Sequence, residues 1–433
     1  MTLTTSEPIS RLGLQLPFER ATLANGLRVV LHPDRSLPLI TVNLWYHVGS
    51  KNERPGRTGF AHLFEHMLFQ GSEHVPANEH FRYLQQVGGV ANGSTWYDRT
   101  NYFETLPSNC LDLGLWLESD RMGFFLPALT QESLDTQRGV VMNERRQRVD
   151  NQPYGRANER LHELLYPEDH PYHWPVIGYM EDIAAATLEE VRQFFQTYYA
   201  PNNAVLTLAG DLDPDTALKR VEAWFGEIPA GPLVPPVVAP LSPLGGEQRA
   251  LLEDDVSLPR VYMGFRAPAY GERGWYAADL LTGVLTGGKS SVLYRDLVYE
   301  RQIAQDVAAW VSPYEKVGTF MIVATAKPGI PIETVERAVL EHVDRAAAAP
   351  PDAADFERSR NRMLTELYSG MQKLDNRADL FSQFTTYFDD PAGAAAEADR
   401  YLEVEPRELA DYASRWMTEA ERVVVTVVPR KAS

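Results

Sequence analysis

The chain contains a single cysteine, Cys110, in 433 residues, which excludes an internal disulfide and any cysteine-built metal site. Cys110 itself reads as a small core side chain. Long apolar runs are missing as well: no stretch approaches the roughly 18 uninterrupted apolar residues of a membrane-spanning helix. Positive charge is scarce. With 41 Lys and Arg against 59 Asp and Glu, the formal charge of −18 argues against nucleic acid or an anionic membrane as partner. It suits solubility, and equally the attraction of basic peptides. Met1 to Glu19 show neither a basic start followed by an apolar block nor an Arg-rich, acid-free amphipathic stretch, so the expectation is a cytoplasmic chain.

What is present is the composition of a globular protein, 44% apolar and 23% charged, in a chain too long for one ordinary core. Between Gly226 and Gly246 lie six prolines and four glycines with nothing periodic, the mark of a linker. The order of elements on its two sides reads alike. The expectation is an α+β protein of two similar halves, each a sheet covered by helices, in a clamshell arrangement. The expected boundaries are a first domain over 1–228, a linker over 229–247 and a second domain over 248–433.

The first half opens with strands at residues 20–23, 27–31 and 39–48, the first two joined by the turn Asn25-Gly26. Helices follow at about 78–86, 109–122 and 131–148, the last with Thr130 as N-cap, and again at 188–198 and 215–225. Ala91 to Leu106, rich in Thr, Tyr, Trp and Phe, reads as strand.

One stretch carries chemistry. His62-Leu63-Phe64-Glu65-His66 lies among apolar residues between Thr58-Gly59 and Gly71-Ser72, which predicts a buried helix of about three turns. Residues four apart share a helix face, so both imidazoles can reach one ion. Glu65, beside His66, is placed to take a proton from a water on that ion. With ten histidines in the chain, such an H-x-x-E-H pattern arises by chance in roughly one or two sequences per hundred. Burial sharpens the reading, because each of these polar groups would be costly in an apolar segment without a partner or a metal. A third ligand is needed. In the helix 131–148, Glu144 falls on one stripe with Leu134, Gln137 and Val141, so its carboxylate points inward.

At this point the chain resembles the pitrilysin, insulin-degrading enzyme and mitochondrial processing peptidase family, the inverzincins, in which H-x-x-E-H is followed roughly 75 to 80 residues later by a glutamate ligand. The segments NGLRVVL, GGVANGSTWYDRTNYF, VVMNERRQ, PYG, NNAVLTLAGDLD and GGKSSVLYRDL carry the likeness over nearly the whole length. The resemblance implies one zinc ion per chain on His62, His66 and Glu144, with Glu65 as base. It also implies that an extended peptide adds as a strand to an edge within Ser94 to Thr105, with Asn92, Gly93 and Thr95 in the substrate-binding segment, and that unfolded peptides are cleaved in a closed chamber.

Two departures from the family stand out, at three positions. Gln137 stands where many relatives carry a second glutamate, and an amide cannot act as a base. Val298 and Gln305 stand where single-chain relatives carry an arginine and a tyrosine that stabilise the tetrahedral intermediate. The implied enzyme is therefore the zinc-bearing subunit of a two-chain peptidase whose homologous partner supplies both. A non-catalytic scaffold subunit that keeps the fold is the alternative.

Other patterns carry less. Gly283 to Ser290 spells a P-loop, but the residues before it are helical in pattern, and a P-loop follows a strand. His170 and His173 flank Pro171 in a loop and read as surface or packing residues. His74 and His80 read as ordinary residues near a turn, and Glu253, Asp254 and Asp255 as a solvated loop.

Overall fold

The computed structural model describes residues 3–8 and 10–430. Residues 1, 2, 9 and 431–433, which include the outer ends of both expected domains, lie outside the described residues. Two sheets organise the chain. The first has seven strands in the order β1-β2-β3-β7-β4-β6-β5, formed by β1 (Thr4–Ser6), β2 (Phe18–Thr22), β3 (Arg28–Pro33), β4 (Leu39–Tyr46), β5 (Val90–Thr95), β6 (Thr100–Pro107) and β7 (Ala204–Gly210). The second has five in the order β10-β11-β9-β12-β8, formed by β8 (Gln248–Asp254), β9 (Arg260–Ala267), β10 (Ala304–Ser312), β11 (Gly318–Ala326) and β12 (Arg422–Pro429).

The repeat suggested by the order of elements is visible in the pairing. In the first sheet β3 runs parallel to β7, then β7, β4, β6 and β5 alternate antiparallel. In the second, β8 runs parallel to β12, then β12, β9, β11 and β10 alternate in the same way. A five-strand pattern recurring with the same senses is a duplicated unit, and the chain is a mixed α+β protein as expected.

The single cut at 228–248 is corrected by the packing. One compact unit comprises 1–145, 174–238 and 368–397, the other 146–173, 239–367 and 398–433. Two helices cause the exchange, one encoded in each half. The helix Ala157–Leu165 buries Ala157, Leu161 and Leu165. Leu161 lies so close to Gly264 of β9 that a Cβ there would come within 2.6 Å of its methyl carbon. The helix Leu374–Phe388 covers the first sheet, with Asp379 accepting from the Trp45 indole at 2.8 Å and Ser382 bonded to Thr207 at 2.8 Å. An apolar helix face buries itself wherever sheet is open, whichever half encodes it.

Most other elements lie where patterning places them, including a helix over Leu188–Tyr198 and a Thr130 hydroxyl that accepts from Ser133 N–H at 3.1 Å. Three short helices, Ala157–Leu165, Met180–Ala185 and Gly393–Glu403, were not anticipated. Ala91 to Leu106 is a hairpin and not one strand: β5 and β6 are joined through Trp96 to Arg99, with Trp96 N–H donating to Arg99 O at 2.9 Å. A buried ion pair, Lys51 to Asp98 at 3.3 Å, holds the turn. Gly283 lies inside the helix Arg273–Thr286, so the P-loop spelling has no strand before it. Glu253 and Asp254 belong to β8, and Asp254 accepts from Tyr154 N–H. Among the described residues no helix is long and apolar enough to cross a membrane.

The helix Leu374–Phe388 is pinned by Arg377, which donates to Asp34 at 2.6 Å and to the His32 ring at 3.2 Å. Burial alone would raise the Asp34 pKa, but bonds from Ser36 and Arg377 outweigh it and hold the carboxyl at about 2. A carboxylate depressed in the folded state stabilises above its unfolded pKa and loses that effect as pH falls through the folded value. Asp34→Asn is therefore expected to destabilise by about 1 kcal/mol at pH 7, allowing for partial exposure. That deficit should shrink between about pH 4 and pH 2, as read from urea midpoints of both chains across this range.

Candidate metal centre

The helix α1 (Phe60–Met67) starts where the chain turns through Gly59 at φ +85°. A Cβ at Gly59 would meet the Ile177 carbonyl at 2.7 Å, so both the dihedral and the space require glycine. No residue at the helix start caps it with its own side chain. A carboxylate from upstream does so instead: Glu53 accepts from Gly59 N–H at 2.9 Å and from Ala61 N–H at 2.8 Å. Burial raises the Glu53 pKa well above the usual carboxylate range, against the two bonds from the Ala61 and Gly59 N–H groups. Asp182 accepts from the Thr58 backbone at 3.1 Å and its hydroxyl at 2.7 Å, fixing the approach to the helix.

From α1 the apolar residues Phe60, Leu63, Phe64 and Met67 enter the core, which leaves His62, Glu65 and His66 on the partly exposed face. The helix Gln131–Arg145 brings Glu144 opposite them, its Leu134, Gln137 and Val141 buried along one stripe. Arg145 donates to the Gly178 carbonyl at 2.7 Å and anchors the end of that helix.

Glu144 Oε2 lies 3.2 Å from His66 Nε2 and 3.7 Å from His62 Nε2. Two donors each about 2.05 Å from one ion at a tetrahedral angle stand roughly 3.3 Å apart, so these separations suit zinc. Among the described residues His62, His66 and Glu144 form a group of donors all within 4.8 Å of one another. The residues present therefore fit the ion.

Glu65 is close to this group and differently held. Its Oε2 accepts from the Thr95 hydroxyl at 2.6 Å. Burial raises its pKa, against the Thr95 bond and the nearby His66 and Arg99 charges. A carboxyl lifted this way is a stronger base once ionised. Gly93 faces the same side chain: a Cβ there would come within 3.2 Å of Glu65 Cγ and 3.0 Å of the Phe69 ring.

The edge strand of the first sheet beside α1 is β5, Val90–Thr95, which corrects the expectation that the edge lay within Ser94 to Thr105; β6 is interior, between β4 and β5, and β1 is the opposite edge. Asn92, Gly93 and Thr95 all lie on this edge. Asn92 Oδ1 accepts from Gly93 N–H at 2.9 Å, while Gly93 and Thr95 touch Glu65. Gln137 is buried two turns before Glu144 on the same helix. Val298 and Gln305 belong to the second unit.

Sequence patterning missed the groups that hold this arrangement. Glu53 lies outside the helix it caps, so no helical period reveals it. His74 and His80 are not incidental: His74 Nδ1 meets Asp120 at 2.6 Å, and buried His80 accepts from Arg121 at 3.0 Å. Arg121 also ion-pairs with Glu118 and lies 4.4 Å over the Tyr102 ring, a charged cluster behind the hairpin. His170, in the second unit, is a buried packing residue as expected, its Nδ1 accepting from Tyr172 N–H.

A carboxylate brought from a second helix onto a histidine pair, beside a separately held glutamate, is the donor arrangement of the zinc peptidase class. Comparison with known proteins gives the family. Residues 28–173 match the family described as Insulinase (Peptidase family M16), and residues 185–363 match the Peptidase M16 inactive domain. The chain belongs to peptidase family M16. It is 28% identical to a zinc protease, PqqE, of Helicobacter pylori over 95% of this chain and 93% of that protein. It is 24% identical to a probable mitochondrial-processing peptidase subunit beta of Arabidopsis thaliana over 86% of this chain and 72% of that one. A crystal structure of a protease from Helicobacter pylori superposes with a TM-score of 0.90 at 28% identity, over 96% of this chain and all of that one. An M16 inactive domain structure from Pseudomonas fluorescens shares the fold, with a TM-score of 0.84 at 18% identity, covering 96% of this chain and 98% of that one.

Glu144→Gln is expected to weaken zinc binding by more than the roughly 10- to 100-fold that loss of an outer partner costs. Glu65→Gln should leave affinity within that range. Equilibrium dialysis with metal analysis checks both; equal losses would remove Glu144 as the third ligand.

Proposed function

We propose that the chain is a zinc endopeptidase that hydrolyses unfolded peptides, and that it works as the catalytic subunit of a two-chain enzyme. The observation that carries this reading is the convergence of His62, His66 and Glu144 with Glu65 beside them. These three residues would hold one zinc ion, which when bound supplies Lewis acidity that makes a water nucleophilic near neutral pH and polarises a carbonyl.

Glu65 takes the proton from the attacking water and delivers it to the departing amine. An extended peptide pairs with the open edge at β5, in the segment of Asn92, Gly93 and Thr95. Gln137 offers an amide and no second base. Oxyanion donors are worth about a hundredfold or more in rate, and the positions expected to supply them are Val298 and Gln305. A homologous partner chain furnishes them in this reading. These same two positions favour the rival reading, a scaffold subunit without activity.

Glu65→Gln is expected to lower peptide hydrolysis by at least about a thousandfold, more than loss of one oxyanion donor costs, while zinc stays bound. Chelation should stop turnover and added zinc restore it. A Glu65→Gln chain that cleaves a quenched fluorescent peptide at the parent rate would remove Glu65 as the base. The partner is tested separately: addition of a co-purifying homologue should raise the rate by about a hundredfold or more, and equal rates with and without it would refute the two-chain enzyme.

A further inference from the structure

The phase of the β5–β6 ladder decides which backbone groups the open edge presents. Trp96 donates to Arg99 O across the turn, and the register pairs Ser94 with Asn101, Asn92 with Phe103 and Gly93 with Tyr102. Hydrogen-bonded and non-hydrogen-bonded pairs alternate along an antiparallel ladder. Ser94 and Asn92 therefore bond inward to β6, while Ala91, Gly93 and Thr95 turn their N–H and C=O groups to the open side. The Gly93 N–H bond to its neighbour's side chain, Asn92 Oδ1, agrees with this phase.

Side chains alternate too. Gly93 and Thr95 face α1, where the Gly93 Cα leaves room for Glu65 Cγ and the Thr95 hydroxyl reaches Glu65 Oε2 at 2.6 Å. Two of the three residues that turn pairing groups to the open side, Gly93 and Thr95, are thus the two that cradle the Glu65 side chain.

The other face of the hairpin is held firmly. Ser94 donates to Asn101 Oδ1 at 2.6 Å, and Arg99 donates to the Ser94 carbonyl at 3.0 Å while lying over the Trp45 ring at 5.1 Å. Asn101 and the Trp45 indole both donate to Asp379. With the back of the strand fixed, the Thr95 Cα is held where its hydroxyl reaches Glu65 Oε2.

We propose that Thr95 is a positioning residue for Glu65, so that a peptide paired at β5 is registered through one strand against the base. This rests on the peptidase reading above. Thr95 makes no bond to the reacting atoms in this assignment; it fixes the rotamer of the carboxylate that does.

Thr95→Val keeps the shape and removes the hydroxyl, and Thr95→Ser returns the hydroxyl. The loss of a hydrogen bond to a charged group corresponds to about a ten- to hundredfold drop in kcat for Thr95→Val. KM and zinc content should stay at parent values, and Thr95→Ser should recover to within about threefold of the parent kcat. Crystal structures of the three chains give a readout independent of turnover, with the Glu65 carboxylate held by residue 95 in the parent and Thr95→Ser and displaced in Thr95→Val. A Thr95→Val chain as fast as the parent, a Thr95→Ser chain as slow as Thr95→Val, or an unmoved Glu65 carboxylate in Thr95→Val would each overturn the assignment. Absence of peptide hydrolysis by the zinc-loaded parent chain, with and without the co-purifying homologue, would instead overturn the peptidase reading, and the crystal structures would still decide the role of Thr95.

Discussion

Two imidazoles on one helix can share an ion with a carboxylate on another only when the two helices are fixed in height and rotation. An error of about 1 Å in that relation removes a ligand, because metal bonds tolerate only about 0.2 Å. The chain meets this constraint at both helices. Glu53 and Asp182 secure the entry to α1 through backbone N–H groups, and Arg145 ties the end of the Glu144 helix to the Gly178 carbonyl. All three are polar groups anchored to backbone, which does not change rotamer, so the ion site inherits the rigidity of the main chain.

The apolar core sets the remaining coordinate. Phe64 stacks on Phe194 at 5.2 Å and on Tyr199 at 5.1 Å, and Tyr102 donates to the Phe64 carbonyl at 3.4 Å. These contacts put one side of α1 against the helix Leu188–Tyr198 and β6 and leave the histidines on the other. Behind the hairpin, Glu104 lies next to Glu118, and burial together with that neighbour raises its pKa well above the usual carboxylate range. The shift favours the protonated form of Glu104, and Glu118 pairs with Arg121 beside it. A cluster of this kind stabilises little in net terms, but its geometry is demanding, and Arg121 packs on the same Tyr102 ring that reaches α1.

The duplicated sheet pattern shows how one scaffold carries different sites. In the first unit the helix after β4 bears the histidines. At the same step of the second pattern the helix Arg273–Thr286 follows β9, and Gly283 there packs on Ser359, whose hydroxyl donates to the Leu280 carbonyl at 2.7 Å. A Cβ on Gly283 would meet that hydroxyl at 2.2 Å. The same topological position holds a polar, open helix pair in one unit and a close-packed pair in the other, so function follows from side chains on the elements and not from the fold alone.

Sequence alone determined what depends on local period and residue type: the helix of His62, Glu65 and His66, the inward stripe that includes Glu144, and most strands. Those readings hold because the 3.6- and 2-residue periods are properties of neighbouring residues. Tertiary structure decided the rest. Only packing sends Ala157–Leu165 and Leu374–Phe388 to sheets that the other half of the chain mostly builds, and only strand pairing makes β5 an edge and β6 an interior strand. Only folding brings Thr95 to Glu65 and Glu53 to the start of α1, because a hydrogen bond between residues far apart in the chain leaves no period in the sequence.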